Sequence, residues 1–363
     1  MSEHSILPPS SAARRVACPG SRKLEALYPR EQTESSKEGT LAHEICAALL
    51  RDGAYPENMT NDMLTNCLTY VNYLQDMHKK CDIELGGLDR PILHIEERLN
   101  MPHIHELCWG TPDAWFIDTD KTLHMFDFKY GFGPVEAYEN WQMIEYAAGV
   151  QEEFNKAVFH IIQPRASHPD GPIRKWEVEL KDLVEYWDML TNIEHLAMSD
   201  QAPLSPSTQC VNCAARHACP TLQKTVLNNI NSLGFATPHD LNTDGLGNEL
   251  RILHNAAKLL DARITGLEQE ALAKLMSGKR VPHYELGEVQ SREKWVKDAK
   301  EITALGELFD IELRKPIEVE FITPKQAIKA GIPAKVVRQY SETPQGAKKL
   351  QAIDEKKIRK MFS

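Results

Sequence analysis

Asp127 and Lys129, two residues apart, close the stretch TLHMFDFKYG, whose other residues are those of a buried strand. Period-two alternation puts Leu123, Met125, Asp127 and Lys129 on one face and His124, Phe126, Phe128 and Tyr130 on the other, so an apolar face ends in two charges. A buried ion pair stabilises little more than well-packed apolar residues, which makes stability alone a weak reason for it. Asp113 lies in the preceding strand-like segment, GTPDAWFID, and a short hairpin connection brings its carboxylate toward that of Asp127. Adjacent carboxylates repel, and a divalent cation between them relieves the repulsion. Oxygen donors of this kind suit Mg²⁺ or Mn²⁺. Lys129 is then placed to orient the attacking water and balance charge on a phosphate, which is the chemistry of phosphodiester hydrolysis.

Further residues fit the same cleft. His43 offers a nitrogen ligand to the metal, although a lone buried histidine is also an ordinary hydrogen-bonded core residue. Glu96, in HIEERLN, offers another carboxylate, while the adjacent Glu97 alternates to the opposite face. Gln142 and Tyr146 share one face of a helix and are placed to reach the strand ends or a nucleic-acid backbone, the plain alternative being amphipathic surface.

A second set of residues is made of cysteines. Cys210, Cys213 and Cys219 form a C-x2-C-x5-C-P array, three thiolates that leave a tetrahedral site one ligand short. Cys18, in ACPGS, supplies a fourth thiol and is likewise followed by proline. A structural Zn²⁺ site is open to such a set, but zinc cysteines usually come as two close pairs. Cys46, Cys67, Cys81 and Cys108 read as core or surface thiols.

The elements that must position these groups follow from periodicity. KEGTLAHEICAALLRDG reads as a largely buried helix ending at Gly53. ILHIEERLN, GTPDAWFID and TLHMFDFKYG read as strands, ENWQMIEYAAGVQEEF as a helix and AVFHIIQP as a strand. WEVEL adds a strand before the helix LKDLVEYWDMLTNIEHLAM. The order α, β, β, β, α, β suits an α/β fold, a mixed sheet with helices on its faces. The Gly/Asn/Asp-rich stretch between Leu222 and Asn248 marks a boundary, giving residues 1–222 as the catalytic unit, 223–247 as a linker and 248–363 as a mainly helical accessory region. That region opens with a long amphipathic helix ending LAKLM.

Composition bounds the partners. The 363 residues are 42% hydrophobic and 26% charged, and no apolar run is long enough to span a bilayer, so no membrane partner is expected. The N-terminus lacks the apolar run of a signal peptide, which points to the cytoplasm and to reduced thiols. A net charge of −10 argues against a general cationic surface, yet Lys325 to Lys360 holds ten Lys/Arg against three acids. Lys325, Lys329, Lys335 and Arg338 are the candidate DNA contacts of this basic end, whose plain alternative is a solvated helical surface. Ala327, Gly331 and Val337 have helix-turn-helix offsets, and a short helical pair is the reading preferred.

Taken together, GTLAH, IEERL, GTPD, DFKYG and NWQMIEY resemble, in order and spacing, the motifs of the PD-(D/E)XK nuclease superfamily and its RecB-like exonucleases. The resemblance implies a restriction-endonuclease-like core in which Asp113 and Asp127, with His43, hold the metal, Glu96 assists, Lys129 is catalytic, and Gln142 and Tyr146 form the helix motif. The cysteine arrangement is similar to that of iron–sulfur nucleases, including CRISPR-associated exonucleases and the AddB nuclease domain, and implies a [4Fe–4S] staple on Cys18, Cys210, Cys213 and Cys219, with Zn²⁺ as the alternative. SSAARRVACPGSRK and YELGEVQSREKW also resemble RecB-like proteins of phages and prophages. The implied activity is Mg²⁺/Mn²⁺-dependent hydrolysis of DNA that is single-stranded or has a free end. The implied setting is the cytoplasm of a phage-infected or prophage-carrying bacterial host, beside phage recombination or replication proteins. The rival reading is a DNA-binding or replisome-interaction module that uses the same fold structurally, and the intact Asp113, Asp127 and Lys129 argue against it.

Overall fold

The structure is a computed structural model that describes residues 5–28, 33–51, 53, 59–84, 91–233, 243–288, 293–313, 321–343 and 348–352. The chain forms two compact units, Met1–Gly266 and Leu267–Ser363.

The first unit begins with two short helices, α1 (Ala12–Ala17) and α2 (Ser21–Glu25), followed by α3 (Glu34–Arg51) and α4 (Asn61–Glu84). Short strands β1 (His94–Ile95), β2 (Leu99–Asn100) and β3 (Trp109–Gly110) lead to β4 (Ala114–Ile117) and β5 (Thr122–Phe128). Helix α5 (Trp141–Ala147) crosses to β6 (Lys156–Ile162), then come β7 (Ile173–Glu179), α6 (Leu180–Met198), a 3-10 turn (Thr208–Asn212), α7 (Pro220–Leu233) and α8 (Thr243–Met276). Five strands form one sheet in the order β1-β4-β5-β6-β7. Only β5 and β6 run parallel, and the other neighbours are antiparallel, so the sheet is mixed.

The centre of the sheet is buried on both faces because helices cover each. On one face Leu123, Met125, Ala157, Phe159 and Ile161 pack with Met143, Ile144 and Ala147 of α5 and Leu183 and Leu190 of α6. On the other, Phe116, Phe126, Phe128 and Ile162 pack with Ile45 and Leu49 of α3 and Cys67, Tyr70 and Leu74 of α4. Every residue of β5 is buried, so its alternation sorts side chains between two cores rather than between core and water. The expected alternation holds: Leu123 and Met125 face α5 and α6, and Phe126 and Phe128 face α3 and α4.

Several expectations need correction. Helix α4 is absent from the order read off the sequence, although Thr60 accepts from Met63 N–H at its start and a buried stripe of Met63, Cys67, Tyr70, Val71 and Leu74 runs at helical spacing. ILHIEERLN is two short strands, not one, because Glu96 adopts a left-handed backbone, φ 48°. GTPDAWFID is likewise divided between β3 and β4, and α5 is shorter than the motif suggested. Residues 220–233 continue as α7, and the division between units falls inside α8, later than the 223–247 linker. Part of that linker, residues 234–242, lies outside the described residues.

The second unit carries short strands beside its helices. It holds β8 (Tyr284–Glu288), β9 (Lys294–Trp295), α9 (Ala299–Leu308), α10 (Pro324–Ala330), α11 (Ala334–Val337), β10 (Ser341–Glu342) and β11 (Lys348–Ala352). β8 pairs with β11 and β9 with β10. Ile302, Leu305, Leu313, Ala327, Ile332 and Val337 form its core. Ala327 and Val337 thus have their spacing for packing, and the four-residue α11 is too short to serve as a recognition helix.

Candidate functional site

Pairing of Ala114 with Phe126 sets the register that places Asp113 and Asp127 beside each other at the ends of β4 and β5. Asp113 is held from two sides: Oδ2 accepts from Phe128 N–H at 2.6 Å, and Oδ1 meets His43 Nδ1 of α3 at 2.9 Å. Burial alone would lower the His43 pKa, but the Asp113 carboxylate, with Asp127 behind it, outweighs this and pushes it up to about 9. Arg51, at the end of the same helix, donates to Ile95 O at 2.8 Å, and Glu96 N–H donates to Asp113 O at 3.0 Å. The left-handed turn at Glu96 is therefore fixed beside Asp113. Ligating atoms of His43, Glu96 and Asp113 lie within 4.8 Å of one another, the one such trio among the described residues. Burial and the neighbouring Asp113 raise the Glu96 pKa.

Asp127, 3% exposed, looks toward α5 instead. Its Oδ1 accepts from Lys129 Nζ at 3.1 Å and from Gln142 Nε2 at 3.1 Å, while Gln142 Oε1 accepts from Lys129 at 3.0 Å. Gln142 so closes a triangle that fixes both charged groups. Asp127 Oδ2 lies 2.9 Å from Lys129 Nζ but, buried, receives no well-directed hydrogen bond. Burial pushes the Asp127 carboxyl up against the pull of Lys129. Burial also pulls the Lys129 pKa down, yet Asp127 and Asp113 together hold it above its ordinary value. The Asn140 side chain caps α5 by accepting from Met143 N–H, which sets the helix end that presents Gln142.

Tyr146 is buried, and its hydroxyl donates to Thr111 O at 3.1 Å. A Cβ at position 110 would stand 2.7 Å from the Tyr146 ring, so glycine there is what lets the ring lie against the chain. Tyr146 holds the link between β3 and β4, and its hydroxyl also interacts with Gln142, so it stands beside the candidate site as a buried group rather than on open surface.

The four expected cysteines, from segments nearly the whole unit apart, line one small cavity. Backbone N–H groups of Ser205, Ser207 and Leu222 donate to the sulfurs of Cys18, Cys210 and Cys219 at 3.2, 3.4 and 3.4 Å. Burial raises the Cys18 and Cys210 thiols and pushes Cys213 up to about 12. The approach of the two segments is close at Gly20, where a Cβ would sit 2.8 Å from Ala202 O, and Gly20 N–H donates to Pro203 O at 2.9 Å. Glu25 ties them again, accepting from Arg14 and from Ala214 N–H, both at 2.7 Å. The other four cysteines are all buried, apart from this cavity.

With this geometry described, comparison with known proteins places the chain. The family described as "Protein of unknown function (DUF2800)" matches residues 4–357. The chain belongs to the DUF2800 family. Among solved structures, this DUF2800 member is similar to an alkaline exonuclease, LHK-Exo, from Laribacter hongkongensis, at 16% identity and TM-score 0.22, over 51% of this chain and 90% of that one. The same enzyme in complex with dAMP matches at 15% identity and TM-score 0.23, over 52% and 91%. The structure of SSO0001 matches at 12% identity and TM-score 0.22, over 55% and 93%. Superpositions this loose assign no role to any residue.

Sequence reading missed the group beneath α5. Arg15 of α1, 1% exposed, lies between Glu145 of α5 at 3.0 Å and Glu194 of α6 at 2.6 Å, and both carboxylates are fully buried. The Cys108 thiol donates to Glu145 Oε1 at 2.5 Å. Glu145, inside QMIEY, reads in sequence as a helix surface acid, and only its distance from water and from Arg15 reveals its role. Burial, with Glu194 adding, pushes the Glu145 carboxyl up to about 7 despite Arg15. Lys325, Lys329, Lys335 and Arg338 are exposed on and beside α10 and α11, and residues 353–360 of the basic end lie outside the described residues. Among the described residues no helix is long and apolar enough to cross a membrane.

Proposed function

We propose that this chain is a Mg²⁺- or Mn²⁺-dependent deoxyribonuclease of the PD-(D/E)XK type, acting on DNA ends. The observation that carries the proposal is the meeting of two groups at the ends of β4 and β5: the trio His43, Glu96 and Asp113, and the triangle Asp127, Lys129 and Gln142. The donor set fits the metal. Two or three carboxylates and one imidazole suit a hard or borderline divalent cation, and the buried Asp127 Oδ2, short of a directed donor, has coordination capacity left. His43, Asp113, Asp127 and Glu96 would hold the ion. The chemistry it supplies when bound is polarisation of a phosphoryl oxygen and activation of water. Lys129 contributes an ammonium that donates to the phosphate as negative charge grows on it, and Gln142 keeps that ammonium and Asp127 in register. Incubation of end-labelled single- and double-stranded DNA with Mg²⁺, Mn²⁺ or EDTA tests this. Metal-dependent loss of the label supports it, and intact DNA in every condition refutes it. The RecB-like and phage affiliations rest on the motif resemblance.

The cysteine cavity supports a metal staple. N–H groups directed at sulfur stabilise thiolates and are the surroundings a thiolate-bound metal needs. A single Zn²⁺ with bonds of about 2.3 Å requires sulfurs about 3.8 Å apart. The preference for a [4Fe–4S] group over zinc rests on the resemblance of the cysteine arrangement to that of iron–sulfur nucleases. Iron and acid-labile sulfide measured in protein purified without oxygen separate the two.

A further inference from the structure

Immediately beyond Lys129 the chain turns through Tyr130, Gly131, Phe132 and Gly133, and Phe132 is 67% exposed. A lone exposed apolar residue is ordinary, but this one is held. Gln163, 1% exposed at the end of β6, donates its amide to Gly131 O at 2.9 Å and to Gly133 O at 2.7 Å, the carbonyls on either side of Phe132. Its Oε1 accepts from Val135 N–H at 3.0 Å and from the buried Arg174 at 2.6 Å, and Arg174 also donates to Val135 O at 2.8 Å. Two buried polar side chains thus fix the backbone under an exposed ring. The ring is backed as well: the Arg165 guanidinium lies 4.1 Å from the Phe132 centroid and 4.2 Å from that of Tyr130. Glu38 of α3 holds Arg165 from its far side at 3.4 Å. On the flanks, a Cβ at Gly131 or Gly133 would meet nothing within 4 Å, so the space beside the backbone on either side of the ring is open.

A rigid, backed and open aromatic face is what base stacking requires. Stacking tolerates any base, because every base has a π-face, and a guanidinium alongside adds a charge for the phosphate backbone. Three residues span at most about 11 Å, so the ring lies within a few nucleotide steps of Lys129, at about 3.4 Å per step along a strand. In a duplex the base faces are covered by their neighbours, whereas an unpaired or terminal base offers one. We infer that Phe132, backed by Arg165, is a stacking site for an unpaired nucleobase next to the scissile phosphate, so that single strands or frayed ends are the preferred substrate. This rests on the nuclease reading for its place beside the scissile bond.

The test uses the full chain with Ca²⁺ in place of Mg²⁺ and reads fluorescence anisotropy of a short labelled oligothymidylate, with and without abasic sites replacing its terminal bases. Phe132→Ala is expected to weaken binding of the base-bearing strand by about 5- to 150-fold, the range for one stacked base. Phe132→Trp should retain binding, and the abasic strand should bind wild type and Phe132→Ala alike. Equal affinity of wild type and Phe132→Ala for the base-bearing strand, an equal loss on the abasic strand, or no binding by wild type would overturn the inference. Cleavage by wild type with Mg²⁺ or Mn²⁺ is read separately. A chain that binds with base dependence but never cuts sinks the nuclease reading and leaves the stacking site standing, and a chain that cuts without base dependence does the reverse.

Discussion

Replacing Glu145 by Gln should make the protein gain stability relative to wild type as pH rises through neutral. Glu145 and Glu194 face a single Arg15 in a site closed to water, so two carboxylates share one guanidinium. Burial lifts the Glu145 carboxyl from 4.5 to about 7. A raised folded-state pKa means that the folded protein binds the proton more tightly than the unfolded chain. The contribution to stability is fully present below about pH 4.5 and is lost as pH rises through about 7. At 1.36 kcal/mol per pKa unit the loss is about 3 kcal/mol, complete near pH 8. Glu145→Gln removes the titrating charge while keeping a similar shape and an oxygen to accept from Arg15 and Cys108. Urea unfolding of both proteins between pH 5 and 8.5 measures the difference, and the histidines, common to both, cancel. The variant should gain on wild type as pH rises, by up to about 3 kcal/mol. Parallel profiles, or a wild type that gains on the variant, would refute the reasoning.

Other outcomes follow from the same geometry. Asp127→Ala and Lys129→Ala should each lower Mg²⁺- or Mn²⁺-dependent DNA cleavage by about 100-fold or more while keeping the circular dichroism of wild type, and full cleavage by both would remove them from the site. Cys18→Ala should lose the iron and sulfide, or the zinc, and lower the denaturation midpoint of the first unit. Unchanged metal content and midpoint would rule out the staple, and Cys67→Ala serves as the comparison for a plain buried thiol. Replacing Lys325, Lys329, Lys335 and Arg338 by Gln should flatten the salt dependence of DNA affinity if these exposed groups contact phosphates, and an unchanged slope would assign them to solvent.

The site was legible where its chemistry is local or periodic. Asp113 and Asp127 meet because a hairpin register and a two-residue period fix it, and the four cysteines converge because thiols so spaced lack a partner until Cys18 joins them. Glu96 was legible as a carboxylate near the site but not as a left-handed residue, since nothing in HIEERLN, which has no glycine, announces a break. The burial of Tyr146 was not legible, because helix spacing says which residues share a face but not whether that face meets water. Glu145 stayed hidden for a related reason: its partner Arg15 stands 130 positions earlier, and no local pattern relates them. Helix α4 carried its signal in full, a threonine cap and a stripe from Met63 to Leu74, and passed unread because three of its apolar positions are Cys, Tyr and Met rather than Leu or Ile.

The joining of α1 and α2 to the segment around Cys219 also orders events in time. Arg15 finds Glu194 only 179 positions later in the chain, and Cys18 reaches the cavity it shares with Cys219 later still. At translation rates of 5–20 residues per second, roughly 10 to 40 s separate the two ends as they leave the ribosome. The sheet between them can pair in that interval, and Glu145, 130 positions after Arg15, becomes available to its guanidinium before Glu194 does. The earliest part of this unit to be made thus completes its contacts only once the segment near Cys219 has been made. Any group that needs all four thiols can therefore be held only after Cys219 has been made, and until then Cys18 stands without the three thiols that share its cavity.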